Sequence, residues 1–431
     1  MKIKRVPTIR KKIAHLRWYI GALLAVAAAI NYIDRQTLSV ASSRIKSDLH
    51  ISQIQYGHTV QMFLLSYTIM YAVSGLLVDR WGVRKSLAIF SCWWSIANML
   101  NMFARTALSL STFSFLLGMG EPGIYNAAGR ATSEWFPPKE RAFVNGLVNM
   151  GSSVGAVVAT PLVAWLILWQ GWRFAFLVTG LLGLVWIVPW LLFYHLPERH
   201  SRLGDAELSH IREGEVVRNQ GPRLGIGKLL KRRDTWGLML VRFLSDPLWW
   251  FYLFWMPSFL QEQRGFALSQ IAALGWLPYF AAGMGSLLGG WGSNILIVPG
   301  RSVLRARLLP MACCAAIMPI NLLIPRLSSI ASVLTMLSIT AFSYMAWKTN
   351  LMTLTNDLYP TECIGTISGI LMTGSGIGGF LFQWLIAIIA QHFSYNSVFY
   401  IIGFLHPAAF IVCYLTVRPR RSTPELVPLG S

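Results

Sequence analysis

The sequence predicts an all-α polytopic membrane protein, with twelve transmembrane helices in two pseudosymmetric six-helix halves. Three observations carry this. Of 431 residues, 55% are hydrophobic and 13% charged, against roughly 25% charged in soluble domains, and mean hydropathy is +0.52. Apolar segments of membrane-crossing length recur along the chain, and lipid leaves the helix as the economical way to satisfy their backbones. A motif register also repeats at an offset of 223 residues. Glu134-Trp-Phe-Pro137 returns as Asp357-Leu-Tyr-Pro360; Gly146, Gly151, Ser152 and Gly155 return as Gly369, Gly374, Ser375 and Gly378; Phe176 and Gly180 return as Phe399 and Gly403. Parallel halves of this kind place a substrate site between them near the midplane.

The expected spans are 17–40, 57–78, 86–104, 107–131, 140–167, 173–195, 236–260, 268–293, 306–325, 328–353, 363–391 and 395–417. Residues 1–195 form the first half, opened by a basic arm (Met1-Lys-Ile-Lys-Arg, then Arg10-Lys-Lys) that reads as cytoplasmic before a retained helix rather than as a cleaved signal peptide. Residues 196–235, rich in charge and Gly, form a linker with one short amphipathic helix. Residues 236–417 form the second half. The tail 418–431, ending in Leu426-Val-Pro-Leu-Gly-Ser, resembles in part an appended protease-site linker and is expected to lie outside the fold.

Of the 37 Lys and Arg residues, 28 fall on the side of the termini and linker, 6 on the opposite side and 3 within spans. That bias places both termini and the linker in the cytoplasm. It also accounts for most of the net charge of +20 without a nucleic-acid partner. The 18 Trp suit anchoring at the lipid interface. Cys92, Cys313, Cys314, Cys363 and Cys413 lie in or beside apolar segments, without metal spacing or a secreted-disulfide pattern.

Along the chain, charge interrupts the apolar segments at few places. Span one holds Asp34 and Arg35 side by side. An ionised group in hydrocarbon costs roughly 2.5–3.5 kcal/mol on insertion scales, so such a pair marks a functional site unless it reaches the interface. The loop after span two reads Gly75-Leu-Leu-Val-Asp79-Arg80-Trp-Gly82-Val-Arg84-Lys85. This eleven-residue pattern resembles the signature of the major facilitator superfamily, which implies a loop that latches the halves together on the cytoplasmic side. Its second-half counterpart, Gly290-Trp-Gly-Ser-Asn294, carries Asn where that family usually has Asp. A neutral amide forms no equivalent charge-assisted bond.

Asn31-Tyr-Ile-Asp-Arg-Gln-Thr-Leu-Ser-Val40, Gly120-Glu-Pro122 and Arg130-Ala-Thr-Ser-Glu-Trp-Phe-Pro-Pro-Lys-Glu-Arg-Ala142 resemble the anion:cation symporter family over nearly the whole chain. That family includes bacterial hexuronate, galactonate and glucarate transporters and eukaryotic vesicular glutamate and sialic-acid carriers. Arg242-Phe-Leu-Ser-Asp-Pro-Leu-Trp249 resembles the hexuronate branch most. The resemblance implies that Arg35 holds the substrate carboxylate, that Asp34 titrates protons beside it, that Glu121 couples protonation to substrate, and that Tyr32 and Tyr67 line the site. Asn126 is counted with the substrate-binding residues. Ser152 stands where the galactonate type has a glutamine, and Met372 near where it has an asparagine, which argues against assuming galactonate as the substrate.

The residues agree with these expectations. Arg presents a planar fork matched to a carboxylate and stays charged. Glu121 sits about halfway along span four, where a carboxyl is costly to keep ionised; the competing reading is a static Glu121–Arg35 pair. The offset of 223 maps Lys348 onto Tyr125, one turn beyond Glu121. Lys348 is therefore expected to enter the cavity as a second anion contact, with Trp347 as a stacking face and Asn350 as a hydroxyl partner. Its alternative is internal pairing with an acid. Arg242 and Asp246 are four apart on one helical face, which suits a structural pair as well as a substrate contact. Asp34, Glu121 and Asp246 balance Arg35, Arg242 and Lys348, so one added carboxylate calls for one added proton. Asp79, Arg80, Arg84, Glu134, Arg141 and Asp357, with Glu362 at a repeat position, are expected to form a cytoplasmic gate.

The expected function is proton-coupled import of a sugar acid, foremost a hexuronate, by alternating access in the inner (plasma) membrane. It involves no covalent chemistry and no cofactor beyond the coupling proton. Its partners are the small anionic substrate and membrane lipid, and a monomer is the expected functional unit. The alternatives are another organic anion (aldonate, aldarate or tartrate), sodium coupling, or a non-transporting membrane sensor.

Overall fold

The computed structural model describes residues 12–213, 226–296, 303–359 and 364–417. The expectations placed on the N-terminal arm before residue 12, on Pro360, Glu362 and Cys363, on the Asn294 side chain and on the tail 418–431 lie outside the described residues.

The chain is helical throughout the described segments. In the first half, α1 (Leu16–Leu49), α2 (Gln53–Trp81) and α3 (Val83–Leu100) are followed by α4 (Ala107–Gly120) with α5 (Gly123–Trp135), then α6 (Pro138–Gln170) and α7 (Trp172–Phe193). The linker contributes α8 (Asp205–Arg212) and α9 (Ile226–Leu230). The second half runs α10 (Arg233–Ser245), α11 (Pro247–Phe254), α12 (Met256–Ser258) and a π-helical turn Phe259–Gln263, then α13 (Leu268–Leu274) with α14 (Leu277–Ile295). It ends with α15 (Val303–Ile317), α16 (Ile330–Leu358), α17 (Ile364–His392) and α18 (Tyr395–Thr416).

Among the described residues, eight helical stretches are long and apolar enough to cross a membrane, and a ninth if the bent α2 counts as one span. The other three expected spans are α3, which is 18 residues long and carries Arg84 and Lys85 in its first turn, and two that are each divided between shorter helices. Span four breaks at Glu121-Pro122 between α4 and α5, and span seven breaks at Asp246-Pro247 between α10 and α11. Proline lacks the amide that would continue the ladder. Interrupted spans are tolerated where protein or a cavity receives the freed backbone.

Local chemistry sets the ends. Ser52 caps α2 reciprocally with Gln55, its hydroxyl accepting from Gln55 N at 3.2 Å and its own N–H donating to Gln55 Oε1 at 2.8 Å. Gly82 (φ 77°) and Gly171 (φ 83°) make the α2–α3 and α6–α7 turns in a region closed to most side chains. The first turn of α1 is capped from far away in sequence. Glu207 on α8 accepts from the backbone N–H of Leu16 (3.1 Å) and Arg17 (3.2 Å), while the Arg17 side chain bridges Glu207 and Glu140.

The repeated glycines seat equivalent helix pairs. A Cβ on Gly151 or Gly155 would lie 2.2 or 2.3 Å from the Ala25 or Ala29 carbonyl oxygen, so α6 lies directly on α1. A Cβ on Gly374 or Gly378 would lie 2.4 Å from the carbonyl oxygen of Met239 or Phe243, seating α17 on α10 in the same way. Small residues permit this approach where lipid supplies no hydrophobic drive between helices. The halves meet along α2 against α17 and along α6 against α13 and α14. Large apolar side chains such as Trp169, Trp291 and Leu192 are exposed outward, as a lipid-facing surface requires.

Candidate functional site

The face that carries α8 and α9 is called here the linker face, and its opposite the far face. Between the halves, at the depth of the span-four break, Arg35 and Glu121 form a fully buried pair. Arg35 Nε donates to Glu121 Oε2 at 2.9 Å and Arg35 Nη2 donates to the same oxygen. Among the described residues, Glu121 Oε1 is buried without a partner and Arg35 Nη1 finds no acceptor. The guanidinium carbon lies 4.9 Å from the Tyr32 ring, 5.0 Å from Tyr67, 5.5 Å from Phe63 and 6.0 Å from Trp250. Four aromatic faces thus surround the cation, and they strengthen its hold where water is excluded. Trp250 comes from the second half, so the cage spans both.

A cavity of about 430 Å³ runs from this cage toward the linker face. Tyr67 and Trp250 line its deep end, Tyr71, Asn126 and Met372 its walls, and Asp79 its mouth. The far face is closed by a latch between the halves. Lys46 Nζ meets Glu262 Oε1 at 2.6 Å and donates to Gln53 Oε1 at 2.9 Å. Ser43 Oγ (2.8 Å) and Gln53 Nε2 (2.5 Å) also donate to Glu262, Tyr395 OH reaches it at 3.4 Å, and Gln53 N–H donates to Gln391 Oε1 at 3.0 Å. One layer deeper, Tyr56 OH donates to the Phe254 carbonyl at 2.9 Å.

Of the expected site residues, the fold brings Arg35, Glu121, Tyr32 and Tyr67 together. Asp34 is adjacent in sequence but faces away, into α3 and α7, where Asn98 Nδ2 donates to its Oδ1 at 2.7 Å. Asn126 lines the cavity while its amide donates to the Tyr71 carbonyl (2.9 Å) and Ser74 Oγ (2.8 Å). Arg242 and Asp246 pair at 3.4 Å, and Ser245 and Tyr344 hydroxyls add bonds of 3.3 Å to Asp246. Among the described residues Arg242 Nε is buried without a partner.

Two expectations on span ten are corrected. Trp347 is fully buried against His406 (5.5 Å) and Phe410 (6.5 Å) of α18, so it faces the interior of the second half and offers no stacking face to a ligand in the cleft. Asn350 donates to the Gly289 carbonyl (3.0 Å) and the Ala346 carbonyl (2.9 Å), fastening α16 to α14. Mapping by sequence offset carries no helix rotation, and α16 turns these side chains outward from the cleft. Lys348 is half-buried with Nζ 6.0 Å from the Tyr344 ring, and no acid within ion-pair distance is found among the described residues.

The residues expected at the gate sit on the linker face. Arg130 bridges Asp79 (2.8 Å) and Glu134 (3.0 Å), and Glu134 accepts from Tyr194 OH at 2.6 Å. Arg84 donates to the Leu191 carbonyl at 2.6 Å and Arg141 to the Phe136 and Ser133 carbonyls at 3.0 Å. Arg80 is exposed, and Asp357 pairs with Arg307 at 3.1 Å. Sequence reasoning missed Trp250 and Phe63 in the cage, Asn98 beside Asp34, and the whole far-face latch. Lys46 and Glu262, charges near span ends on the sparsely charged side, were the signal for the latch.

Residues 24–383 match the sequence profile of the Major Facilitator Superfamily. The chain is 29% identical over 405 residues to the hexuronate transporter of Escherichia coli (strain K12), covering 91% of this chain and 92% of that one. It is 35% identical over 283 residues to the galacturonate transporter of Dickeya chrysanthemi, covering 65% of this chain and 82% of that one. Among solved structures, it is similar to a bacterial homologue of the human lysosomal transporter Spinster in an inward-facing, unoccupied conformation. That likeness has a TM-score of 0.71 at 19% identity and covers 94% of this chain and 96% of the other.

Proposed function

This chain belongs to the Major Facilitator Superfamily, and from that premise we propose that it is a proton-coupled symporter importing a sugar acid, foremost a hexuronate. The observation that carries the proposal is the buried Arg35–Glu121 pair inside its aromatic cage. A substrate carboxylate and Glu121 compete for one guanidinium. With Glu121 ionised, it occupies Nε and Nη2. Once Glu121 is protonated its charge is gone, and Arg35 can turn its fork to the substrate. Release of the proton restores the internal pair and expels the anion. Uptake of the anion together with at least one proton avoids adding uncompensated negative charge to the buried site, which would carry a large penalty. Tyr32, Tyr67 and Trp250 suit a polyhydroxylated ring, presenting hydroxyls and flat apolar faces. Relatives named for hexuronate and galacturonate transport support this substrate class.

The linker face corresponds to the cytoplasm by its Lys and Arg content, so the latched far face is extracellular and the cavity opens inward. Asp34 is a second proton site. The chain acts as a monomer in the inner membrane with both termini cytoplasmic. A dianionic aldarate is the second reading, because the Nε of Arg242, without a partner among the described residues, offers a further donor on the second half.

Uptake into proteoliposomes of labelled galacturonate, glucuronate, galactarate and galactonate, with and without an inward proton gradient, tests the proposal. Accumulation of a hexuronate driven by the gradient supports it; uptake indifferent to the gradient refutes the coupling.

A further inference from the structure

Asp34 neighbours Arg35 in the chain but does not share its cleft. Its carboxyl is fully buried, Oδ1 accepts from Asn98 Nδ2 at 2.7 Å, and among the described residues Oδ2 has no partner in hydrogen-bond geometry, although Trp94 and Thr179 lie beside the carboxyl. Asn98 is itself fixed, because the same amide donates to Thr179 Oγ1 at 2.8 Å, and Thr37 Oγ1 joins Thr179 at 3.3 Å. The charged groups near Asp34 are Arg35 on its own helix and Glu121 at the span-four break, while α3 and α7 present the neutral Asn98, Trp94 and Thr179.

The depth of this cluster decides what it exchanges with. Asn98 lies two residues before the far-face end of α3, and Asn101 follows about 5 Å further on at 1.5 Å per residue. The exposed Arg105 comes next after one buried and two partly covered or exposed positions. Among the described residues, Asn98 and Asn101 each bury an amide oxygen without a protein partner, while the Asn101 amide nitrogen donates to the Ala97 and Asn98 carbonyls at 3.1 and 3.2 Å. Buried polar atoms left over by the protein are where ordered water is held. Toward the linker face the same groove is shut. A Cβ on Gly183 would lie 2.0 Å from Ser95 Oγ, while one on Gly180, level with Asn98, would lie 2.4 Å from Met99 Cγ and 2.8 Å from the Ser95 carbonyl. At Gly183 and Gly180 α3 and α7 are in direct contact.

We infer that Asp34 exchanges its proton with the extracellular side through the interior of the first half, by way of Asn98 and Asn101, while the substrate cleft is latched on that side. The inference rests on Asp34 being a coupling acid. The transfer is simple: a proton from external water, relayed through bound water, forms the O–H bond at Oδ2 and neutralises the carboxylate. Asn98 and Asn101 are positioning residues that hold the acceptor and the water. The carrier thereby loads one proton before its outer latch opens.

The test uses the full chain in proteoliposomes with labelled galacturonate as the probe. Asn101→Leu should leave counterflow exchange at equal pH within about twofold, yet slow proton uptake from the external medium about tenfold or more. It should also flatten the dependence of uptake on external pH, and Asn101→Ser should recover both readouts. Asn98→Leu should act in the same direction; should it fail to fold, the Asn101 pair decides the question. An Asn101→Leu protein with the unaltered external-pH profile and proton flux overturns the path. Asp34→Asn separates the two claims. If it accumulates substrate normally, Asp34 is no coupling acid and the inference falls with that reading. If it loses accumulation while Asn101→Leu behaves as the parent, the coupling role stands and the path alone is wrong.

Discussion

Glu262→Gln should release the far-face latch. The substitution keeps the shape of the side chain and removes the charge that Lys46 meets at 2.6 Å. Hydrogen bonds to charged groups contribute about 1.5–3 kcal/mol net, whereas fully exposed ion pairs contribute about 0–1 kcal/mol. Lys46 is 8% exposed and Glu262 29%, so the pair falls in the lower part of the charged-hydrogen-bond range, at about 2 kcal/mol. The latch exists only when the far face is closed, so the whole loss falls on one state. At about 1.4 kcal/mol per decade, the closed-to-open ratio falls about 30-fold. Spin labels at Leu108 (78% exposed) and Phe393 (77% exposed) sit on opposite halves near the far face and report this as a distance. Double electron–electron resonance should show a longer-distance population in Glu262→Gln. Lys46→Met should reproduce it, and the double variant should add little, because both remove one interaction. Unchanged distance distributions in both single variants would refute the reasoning.

Arg35→Ala should abolish substrate binding by calorimetry or thermal-shift protection, and Arg35→Lys should restore little, since a point charge replaces a planar fork; normal binding by Arg35→Ala would remove it from the site. Glu121→Gln should keep counterflow exchange and lose gradient-driven accumulation, and retained accumulation would make Glu121 a static partner. Trp250→Ala should weaken substrate binding about tenfold or more by opening the cage, whereas Trp347→Ala should leave affinity intact and cost about 3–5 kcal/mol of stability, read as a lowered Tm in detergent. Gly155→Ala should also lower the Tm, because its new methyl meets the Ala29 carbonyl oxygen at 2.3 Å.

Much of the fold was legible because its signals are local and repeated. Apolar length gave the spans, and the recurring glycines marked the positions where α6 meets α1 and α17 meets α10. Arg35 and Glu121 were legible as charges too costly for lipid. What stayed hidden depends on rotation about a helix axis. Trp347, Lys348 and Asn350 are consecutive or nearly so on α16, yet they point to α18, to the Tyr344 ring and to α14 respectively. Asp34 and Arg35 differ by about 100° of helical turn, which separates a carboxyl packed on α3 from a guanidinium in the cleft. Asn98, Phe63 and Trp250 carry no distinguishing signal in an aromatic-rich, uncharged segment. Their significance comes from what the fold lays against them.

The cap that Glu207 places on α1 bears on how the polypeptide could be divided. It receives the first amides of a helix 191 positions away in the chain and binds Arg17 as well. The early part of the linker is thereby a component of the first half. A gene split after Glu213 would encode a leading fragment that carries its own cap, and its coexpression with the remainder should yield an assembled carrier. A split ahead of Asp205 would strip the opening turn of α1 and leave Arg17 with Glu140 alone, so reassembly from those fragments should be poorer although both cuts fall in the same connecting segment.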